Sequence, residues 1–422
     1  MHLKKLALSL ALAGIALPAA HATDGYFQPG FSVKANGMGG VGIALPQDAL
    51  TAATNPAGMA LIGNRVDGGI SLFRPDRQAK INGTTYSGND QQNFIIPEIG
   101  ANYMINPTMS AGVSLYGNGG MNSGYSTIMN SRTGLMNGAG VDLQQMFISP
   151  SFAWRVTPTQ TIGVAVNLVH QTFRANGLQG FANPNVTTNP NSFLAPGHDS
   201  SNGIGVRIGW IGELAPGFSL GATYQPKTHM SKFSKYSGLF ADGGSFDIPA
   251  NYGIGFAWKP TGQLTVAGDV ERILYSGVSA IGNSSAPLFA LVMGQPAPKL
   301  GASGGAGFGW TDVTVVKLGV AYAVNQALTV RAGWNHSDNP VTSSNIFFNT
   351  IAPGVVKDHL TLGMTYAVNN SMEISADYIH AFKSTVNGQA PQFNQSGQLV
   401  GQVPEALSMS QNTLGVSVGW KF

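Results

Sequence analysis

Thr413-Leu414-Gly415-Val416-Ser417-Val418-Gly419-Trp420-Lys421-Phe422 is the stretch that decides the fold. Leu414, Val416, Val418, Trp420 and Phe422 alternate with Thr413, Gly415, Ser417, Gly419 and Lys421. Successive side chains of a strand point to opposite faces, so one face is apolar with an aromatic end and the other is small or polar. Such a strand suits a wall with lipid on one side and a polar lumen on the other. No run of about 18 apolar residues follows the first twenty-two, which excludes spanning helices.

Working outward from this strand, the same alternation recurs at 371–382, 357–367, 326–335, 311–323, 263–275, 248–258, 217–226, 202–213, 161–173, 143–155, 108–116, 94–105 and 65–73. With the last segment these make about 14 strands, an even number as a single-chain bacterial barrel requires. Short turns at Asn106-Pro107, Thr157–Gln160, Ala215–Gly217, Pro260–Gly262, Val324-Asn325 and Val368–Ser371 alternate with long loops. Short periplasmic turns and long extracellular loops are what a membrane barrel produces, and a soluble sandwich has no reason to show them. Trp154, Trp210, Tyr224, Trp258, Tyr322, Tyr366 and Trp420 near strand ends fit interfacial girdles. A terminal Phe closing such a strand also resembles the C-terminal signal of bacterial outer-membrane barrels. The expected fold is therefore all-β, a transmembrane antiparallel barrel spanning residues 65–422.

Composition agrees. Only 10% of the 422 residues are charged, 56 are glycine, and the net charge is +3. Nucleic-acid binders carry a stronger basic excess, and disordered chains lack the 43% hydrophobic content seen here. Cysteine is absent, so no disulfide framework exists. Residues 1–22 read as a cleaved signal peptide: Lys4 and Lys5, the apolar run Leu6–Leu17, then Ala20-His21-Ala22 as an A-x-A site. Its loss takes the net charge from +3 to +1.

Residues 23–64 do not alternate. They contain Gly37-Met38-Gly39-Gly40-Val41-Gly42, a helix-prone Asp48–Ala53 stretch, and Asn55-Pro56-Ala57-Gly58-Met59. The glycines satisfy G-x-G-x-x-G, but no strand precedes them and no βαβ unit surrounds them, so a dinucleotide site fails its context test. The segment reads as a periplasmic arm or as a plug, since a barrel of about 14 strands is too wide for its own side chains to fill.

Gly37-Met38-Gly39-Gly40 through Asn55-Pro56-Ala57 resembles the N-terminal hatch of the FadL family, outer-membrane channels for long-chain fatty acids and aromatic hydrocarbons. So do Arg331-Ala332-Gly333-Trp334 with Asp338-Asn339-Pro340-Val341, Asp358-His359-Leu360 with Gly363 and Tyr366, and Leu220–Pro249 around Tyr224-Gln225-Pro226-Lys227. The resemblance implies a 14-stranded barrel with an N-terminal hatch in its lumen. It implies import of hydrophobic molecules, most of all long-chain fatty acids, through an extracellular groove, a lumenal pocket, hatch movement and a sideways exit at a kinked third strand. Here that strand ends in Tyr116-Gly117-Asn118-Gly119-Gly120. Gly117, Gly119 and Gly120 either permit such a kink or start an ordinary loop.

Taking apolar residues as lipid-facing puts Asp67, Glu98, Arg155, Arg207, Glu213, Asp269, Glu271, Lys317, Arg331, Glu373 and Asp377 inside. Folding about Val324 places Lys317 opposite Arg331. The pair either holds a substrate carboxylate or belongs to a structural network neutralised by Asp269 or Glu271, and the inward acids, which outnumber the bases, favour the network. Phe233, Tyr236, Leu239 and Phe240, with Leu288, Phe289, Phe347 and Phe348, fall in extracellular loops, where they form an apolar groove or pack on each other. Ser285, Pro287 and Gly294 bound a short helix.

None of the eight histidines sits in a catalytic motif, and no metal-ligand spacing occurs. No enzyme, cofactor or metal is expected. The expected partners are a hydrophobic small molecule and the lipids and lipopolysaccharide of the bacterial outer membrane, with no nucleic acid, and the chain is read as a monomer. An open diffusion porin is the closest alternative; an outer-membrane barrel enzyme is the more distant one.

Overall fold

A computed structural model describes residues 24–126, 135, 138–193, 197–394 and 398–422. The expected signal peptide lies outside the described residues. The strands are β1 (Arg65–Ile81), β2 (Thr84–Ser87), β3 (Phe94–Asn106), β4 (Met109–Asn122) and β5 (Gly140–Thr157). Next come β6 (Gln160–Asn176), β7 (Asp199–Ala215), β8 (Phe218–Gln225), β9 (Asn251–Trp258) and β10 (Leu264–Ile273). The last five are β11 (Val313–Ala323), β12 (Leu328–Ser337), β13 (Asp358–Ala367), β14 (Met372–Phe393) and β15 (Leu399–Lys421).

Each strand pairs with its sequence neighbours, β2 standing aside as a short hairpin on β1, and β15 returns to β1 to close the barrel. Closure runs from Arg65 opposite Lys421 to Ile81 opposite Glu405. Fourteen strands thus form the wall, as expected, with β2 an addition. The alternation sorts as read: Leu414, Val416, Val418 and Trp420 are exposed to the lipid side, while Ser417 and Thr413 are buried inside. Two strands run well past their expected ends. β1 continues to Ile81 rather than 73, and β14 to Phe393 rather than 382. Above the lipid layer neither face must be apolar, so the period-two signal vanishes while the hydrogen-bond ladder continues.

Residues 24–63 lie within the barrel. Their regular pieces are a four-residue helix (Val33–Asn36) and the 3-10 turns Thr51–Ala53 and Pro56–Leu61. Ser32 caps the helix by accepting from the Ala35 N–H. Asn55 begins the last turn, its Oδ1 accepting from the Ala57 N–H at 3.1 Å. Its Nδ2 donates to the Ile43 carbonyl at 2.7 Å and to the Trp210 carbonyl of β7 at 3.0 Å. Pro56 fits the first turn of this element because its missing N–H is an orphan there anyway.

Most of the segment has no regular backbone pairing, so the wall supplies it. Asp269 Oδ2 accepts from the N–H groups of Gly42 and Ile43 at 2.8 and 3.1 Å. Asp67 accepts from Ala49 N–H at 2.9 Å, and Glu98 from Val33 N–H at 3.2 Å. Ser114 donates to the Ala49 carbonyl at 2.6 Å, and Thr223 to that of Thr54 at 2.8 Å. Asp67, Glu98 and Asp269 therefore serve as partners for lumenal backbone. Glu213 differs from the expectation: it is exposed at the β7–β8 turn and accepts from Gly217 N–H at 3.1 Å.

Glycines let the two backbones approach. A Cβ on Gly319 of β11 would lie 2.5 Å from the Met38 carbonyl oxygen, and one on Gly100 of β3 would lie 2.5 Å from that of Ala49. Real Cβ atoms do not come so close, so those wall positions require glycine.

Replacing Asp269 by Ala leaves two buried N–H groups without an acceptor, at about 1–3 kcal/mol each. Hydrogen exchange at Gly42 and Ile43 is expected to quicken by roughly tenfold or more, with little change in the β9–β10 ladder. Unchanged protection at both amides would contradict this attachment.

Candidate functional site

The extracellular loops fold inward over the wide end of the barrel. Leu178, Phe181 and Phe193 come from the loop after β6, and Leu239 and Phe240 from that after β8. Leu288, Leu300 and Phe308 come from the loop after β10, and Phe347, Phe348 and Ile351 from that after β12. With Leu135, Val141, Phe173, Ala280 and Ala306 they enclose a cavity of about 40 Å³ in which every lining side chain is apolar. Cavities that hold benzene are about 150 Å³, so the loops must part for a ring to enter.

Five of the eight expected groove residues line this cavity: Leu239, Phe240, Leu288, Phe347 and Phe348. Phe233 and Tyr236 stand behind the lining, fully buried against Phe173, with ring centroids 5.8 and 4.8 Å away. Phe289 packs on Phe347 at 6.0 Å. The expected short helix is present as Ala286–Val292, with Pro287 in its first turn and Gly294 leaving it at φ +73°. Ser285 does not cap it. Its hydroxyl donates instead to Asn345 Oδ1 at 2.8 Å, tying this loop to the one after β12.

Below the cavity the aromatic packing continues without a break. Trp310 meets Tyr275 at 5.1 Å, Tyr275 meets Tyr26 at 5.3 Å, and Tyr26 meets Phe27 at 5.2 Å. Tyr275 Oη accepts from Tyr26 N–H at 3.1 Å and donates to the Asp24 carbonyl at 2.5 Å. Further down, Phe31 packs on Tyr116 at 5.0 Å and Tyr116 stacks on Phe147 at 5.4 Å. Cavity, column and the wall residues Phe94 and Ile96 belong to one apolar cluster.

Through Phe94, Ile96 and Tyr116 that cluster reaches the place where the wall comes apart. β3 and β4 pair only as far as Glu98 opposite Tyr116. Above that point β4 continues through Gly117, Gly119 and Gly120 to Asn122, with a register shift against β5 between Gly117 and Gly119. The glycines are thus inside a strand that leaves its neighbour, not at the start of a loop. On the other side, Pro97 of β3 has no N–H to offer. The N-terminal residues take the vacated edge. Gln28 N–H donates to the Asn118 carbonyl at 3.2 Å and Gly120 N–H to the Tyr26 carbonyl at 3.0 Å, with Phe27 opposite Gly119. Gln28 Nε2 adds a bond to the Gly117 carbonyl at 2.5 Å.

Lys317 and Arg331 are not brought together. The hairpin folds about Gln326, with Ala323 opposite Thr329, two residues past the expected centre at Val324, which moves each cross-strand partner by four. Lys317 stands opposite Asn335, and Arg331 opposite Ala321. Lys317 pairs with Glu271 at 3.0 Å and adjoins Asp269 across β10, which is the structural network. Arg331 donates to Gln47 Oε1 at 3.2 Å and Thr365 Oγ1 at 2.7 Å, on the periplasmic side. Of the glycines in the motif, Gly39 and Gly40 adopt φ +72° and +83°, while Gly37 faces Gly363 closely.

Phe173, Tyr116 and Phe147 escaped the sequence reading. Each lies on a strand in the same phase as Gln171, Ser114 or Ser149, on the lumenal side. An aromatic out of phase with the lipid-facing row was the signal available.

A profile of the family described as "Outer membrane protein transport protein (OMPP1/FadL/TodX)" matches residues 19–422. No curated protein sequence matches. Among solved structures, a Pseudomonas aeruginosa FadL homologue superposes with a TM-score of 0.70 at 16% identity, covering 94% of this chain and 99% of that one. The Pseudomonas putida toluene transporter TodX gives 0.68 at 17%, covering 94% and 99%. The Ralstonia pickettii toluene transporter TbuX gives 0.64 at 18%, covering 93% and 99%.

A Cβ on Gly119 would collide with the Tyr26 carbonyl oxygen. Gly119→Val should therefore expel residues 24–28 from the β4 edge while leaving the barrel below Tyr116 intact. Limited proteolysis of the folded protein is expected to cut the N-terminal residues in the variant and to spare them in the parent. Equal resistance in both would contradict the assigned pairing.

Proposed function

This chain belongs to the OMPP1/FadL/TodX family of outer-membrane transport proteins, and from that premise we propose that it imports uncharged, compact hydrophobic molecules by passive diffusion. The chain is an outer-membrane β-barrel channel for hydrophobic compounds, not an enzyme. The observation that carries the finer reading is the single apolar cluster running from the loop cavity to the place where β3 and β4 separate.

A hydrophobe captured from water by the loop side chains gains about 25 cal/mol for each Å² of apolar surface it buries. It then passes along the Trp310–Tyr275–Tyr26 column to Ile96 and Tyr116. Release of residues 24–28 from β4 opens the wall beside it, and the molecule leaves sideways into the membrane. Residues 23–64 act as the hatch in this scheme, with residues 1–22 as the signal peptide and 65–422 as the barrel. No nucleotide or coupled energy source enters; the concentration gradient sets the direction.

Within the family's range, the lining favours an uncharged ring over the long-chain fatty acid suggested by the sequence. A carboxylate in a cavity without a polar side chain would lose most of its hydration for want of a charged partner, at a cost of several kcal/mol. The cations expected to receive it are elsewhere: Lys317 is held by Glu271, and Arg331 lies beyond the lumenal segment. The barrel closes on itself, so one copy suffices, with lipids and lipopolysaccharide against its outer face.

Uptake from dilute solution tests this in a strain lacking the protein and in the same strain carrying it. Labelled toluene uptake is expected to depend on the protein, and Leu288→Asp, which puts a charge in the cavity, should abolish the dependence. Dependence confined to a labelled long-chain fatty acid would overturn the choice of substrate. Independence of both would overturn the importer itself, and large steady conductance in planar bilayers would favour an open porin.

A further inference from the structure

A second cavity, of about 260 Å³, lies on the periplasmic side of the lumenal segment. Its walls carry five cations, Lys34, Arg65, Lys259, Arg331 and Lys421, against one carboxylate, Glu373. Glu373 is shared by three of them: Lys34, Arg65 at 2.6 Å and Lys421 at 3.2 Å. Arg65 is also held by Asp67 at 2.6 Å. Among the described residues, Arg331 and Lys259 have no ion pair.

Arg331 is the telling group. Its guanidinium has five N–H donors in a fixed fork, and its two bonds, to Gln47 and Thr365, go to neutral oxygens. The amide Nε2 of Gln47, on the same cavity, is buried without a hydrogen-bond partner. A partly buried guanidinium without an ion pair and a lysine at the rim share one void whose only carboxylate, Glu373, is already held by three other cations. The cations of this cavity sit near the short-turn end of the barrel, Lys259 in the β9–β10 connection and Lys421 at the end of β15, so the void is reached from the periplasm.

We propose that this cavity binds a small organic carboxylate entering from the periplasm. Arg331 takes the carboxylate bidentately, and Lys259 supplies charge at the mouth. Met38, Leu45 and Pro46, on the lumenal-segment side, form an apolar floor for the rest of the molecule. That floor favours an organic acid over inorganic phosphate, which gains nothing from it. By fixing Arg331, which holds Gln47 Oε1, a bound acid braces the lumenal segment from below. The site is independent of which hydrophobe the upper cavity accepts.

Calorimetric titration of the full-length protein in detergent micelles tests this with benzoate, benzyl alcohol and inorganic phosphate. Benzoate is expected to bind saturably and more tightly than the other two. Arg331→Gln should weaken it roughly tenfold or more, as loss of charge-assisted hydrogen bonds does. Lys259→Gln, a change in an exposed turn that cannot disturb the lumenal packing, should weaken it about two- to fivefold, as an exposed charge does. Absence of saturable benzoate binding, or benzoate affinity unchanged in both variants, would overturn the site. Phosphate binding as tightly as benzoate would overturn the organic-acid assignment. Toluene uptake does not enter this measurement, so its failure leaves the transport reading untouched.

Discussion

No water reaches the hydrocarbon layer of a bilayer, so every backbone N–H and C=O there needs a partner within the protein. The rest of this molecule depends on that constraint. It dictates closure of β15 on β1, and it makes any break in the wall conspicuous. β4 above Tyr116 loses β3 as its neighbour, and residues 26–28 of the lumenal segment serve the edge in its place. Residues that are not part of the wall, joined to β4 by an isolated bridge, thus complete it. They are held there by a few backbone hydrogen bonds and one from the Gln28 side chain.

The same constraint accounts for the lumen. Forty residues of mostly irregular chain carry many backbone polar groups into a space sealed from water. Asp67, Glu98 and Asp269 accept from that backbone, and Ser114, Thr223 and Asn102 donate to it. Acidic and polar side chains inside a barrel look at first like a conduit for polar solutes. Here they are largely consumed in holding the segment, and the glycines opposite it let the two backbones meet. Above this polar layer the filling turns aromatic, and below it cationic. Loop cavity, lumenal segment and cationic cavity thus follow one another along the barrel.

Much of this was legible in the sequence. The alternation in 413–422 marks lipid and lumen faces correctly because the lipid imposes it, and the uneven connection lengths give the topology. Where the lipid ends, the signal ends: β14 above Phe382 and β1 above Phe73 continue as strands without an apolar row. The apolar loop runs around Leu239, Leu288 and Phe347 pointed to the cavity, since such residues need cover from water. Their three-dimensional order was not readable, because Phe233 and Tyr236 look the same in sequence and stand behind the lining. The Lys317–Arg331 pairing failed for a sharper reason. Register in a hairpin follows the turn, and a fold centred on Gln326 rather than Val324 moves every cross-strand partner. The N-terminal bridge to β4 had no sequence signal, since any three residues can supply backbone hydrogen bonds.

The central claim is that molecules leave between β3 and β4 once residues 24–28 move. The chain has no cysteine, so Gln28→Cys with Asn118→Cys introduces the only thiols, on facing residues of the pairing strands. Toluene uptake by cells carrying this double variant, oxidised and then reduced, measures the claim directly. Uptake should stop when the disulfide forms and return when it is reduced. Uptake that persists with the cross-link complete would contradict it.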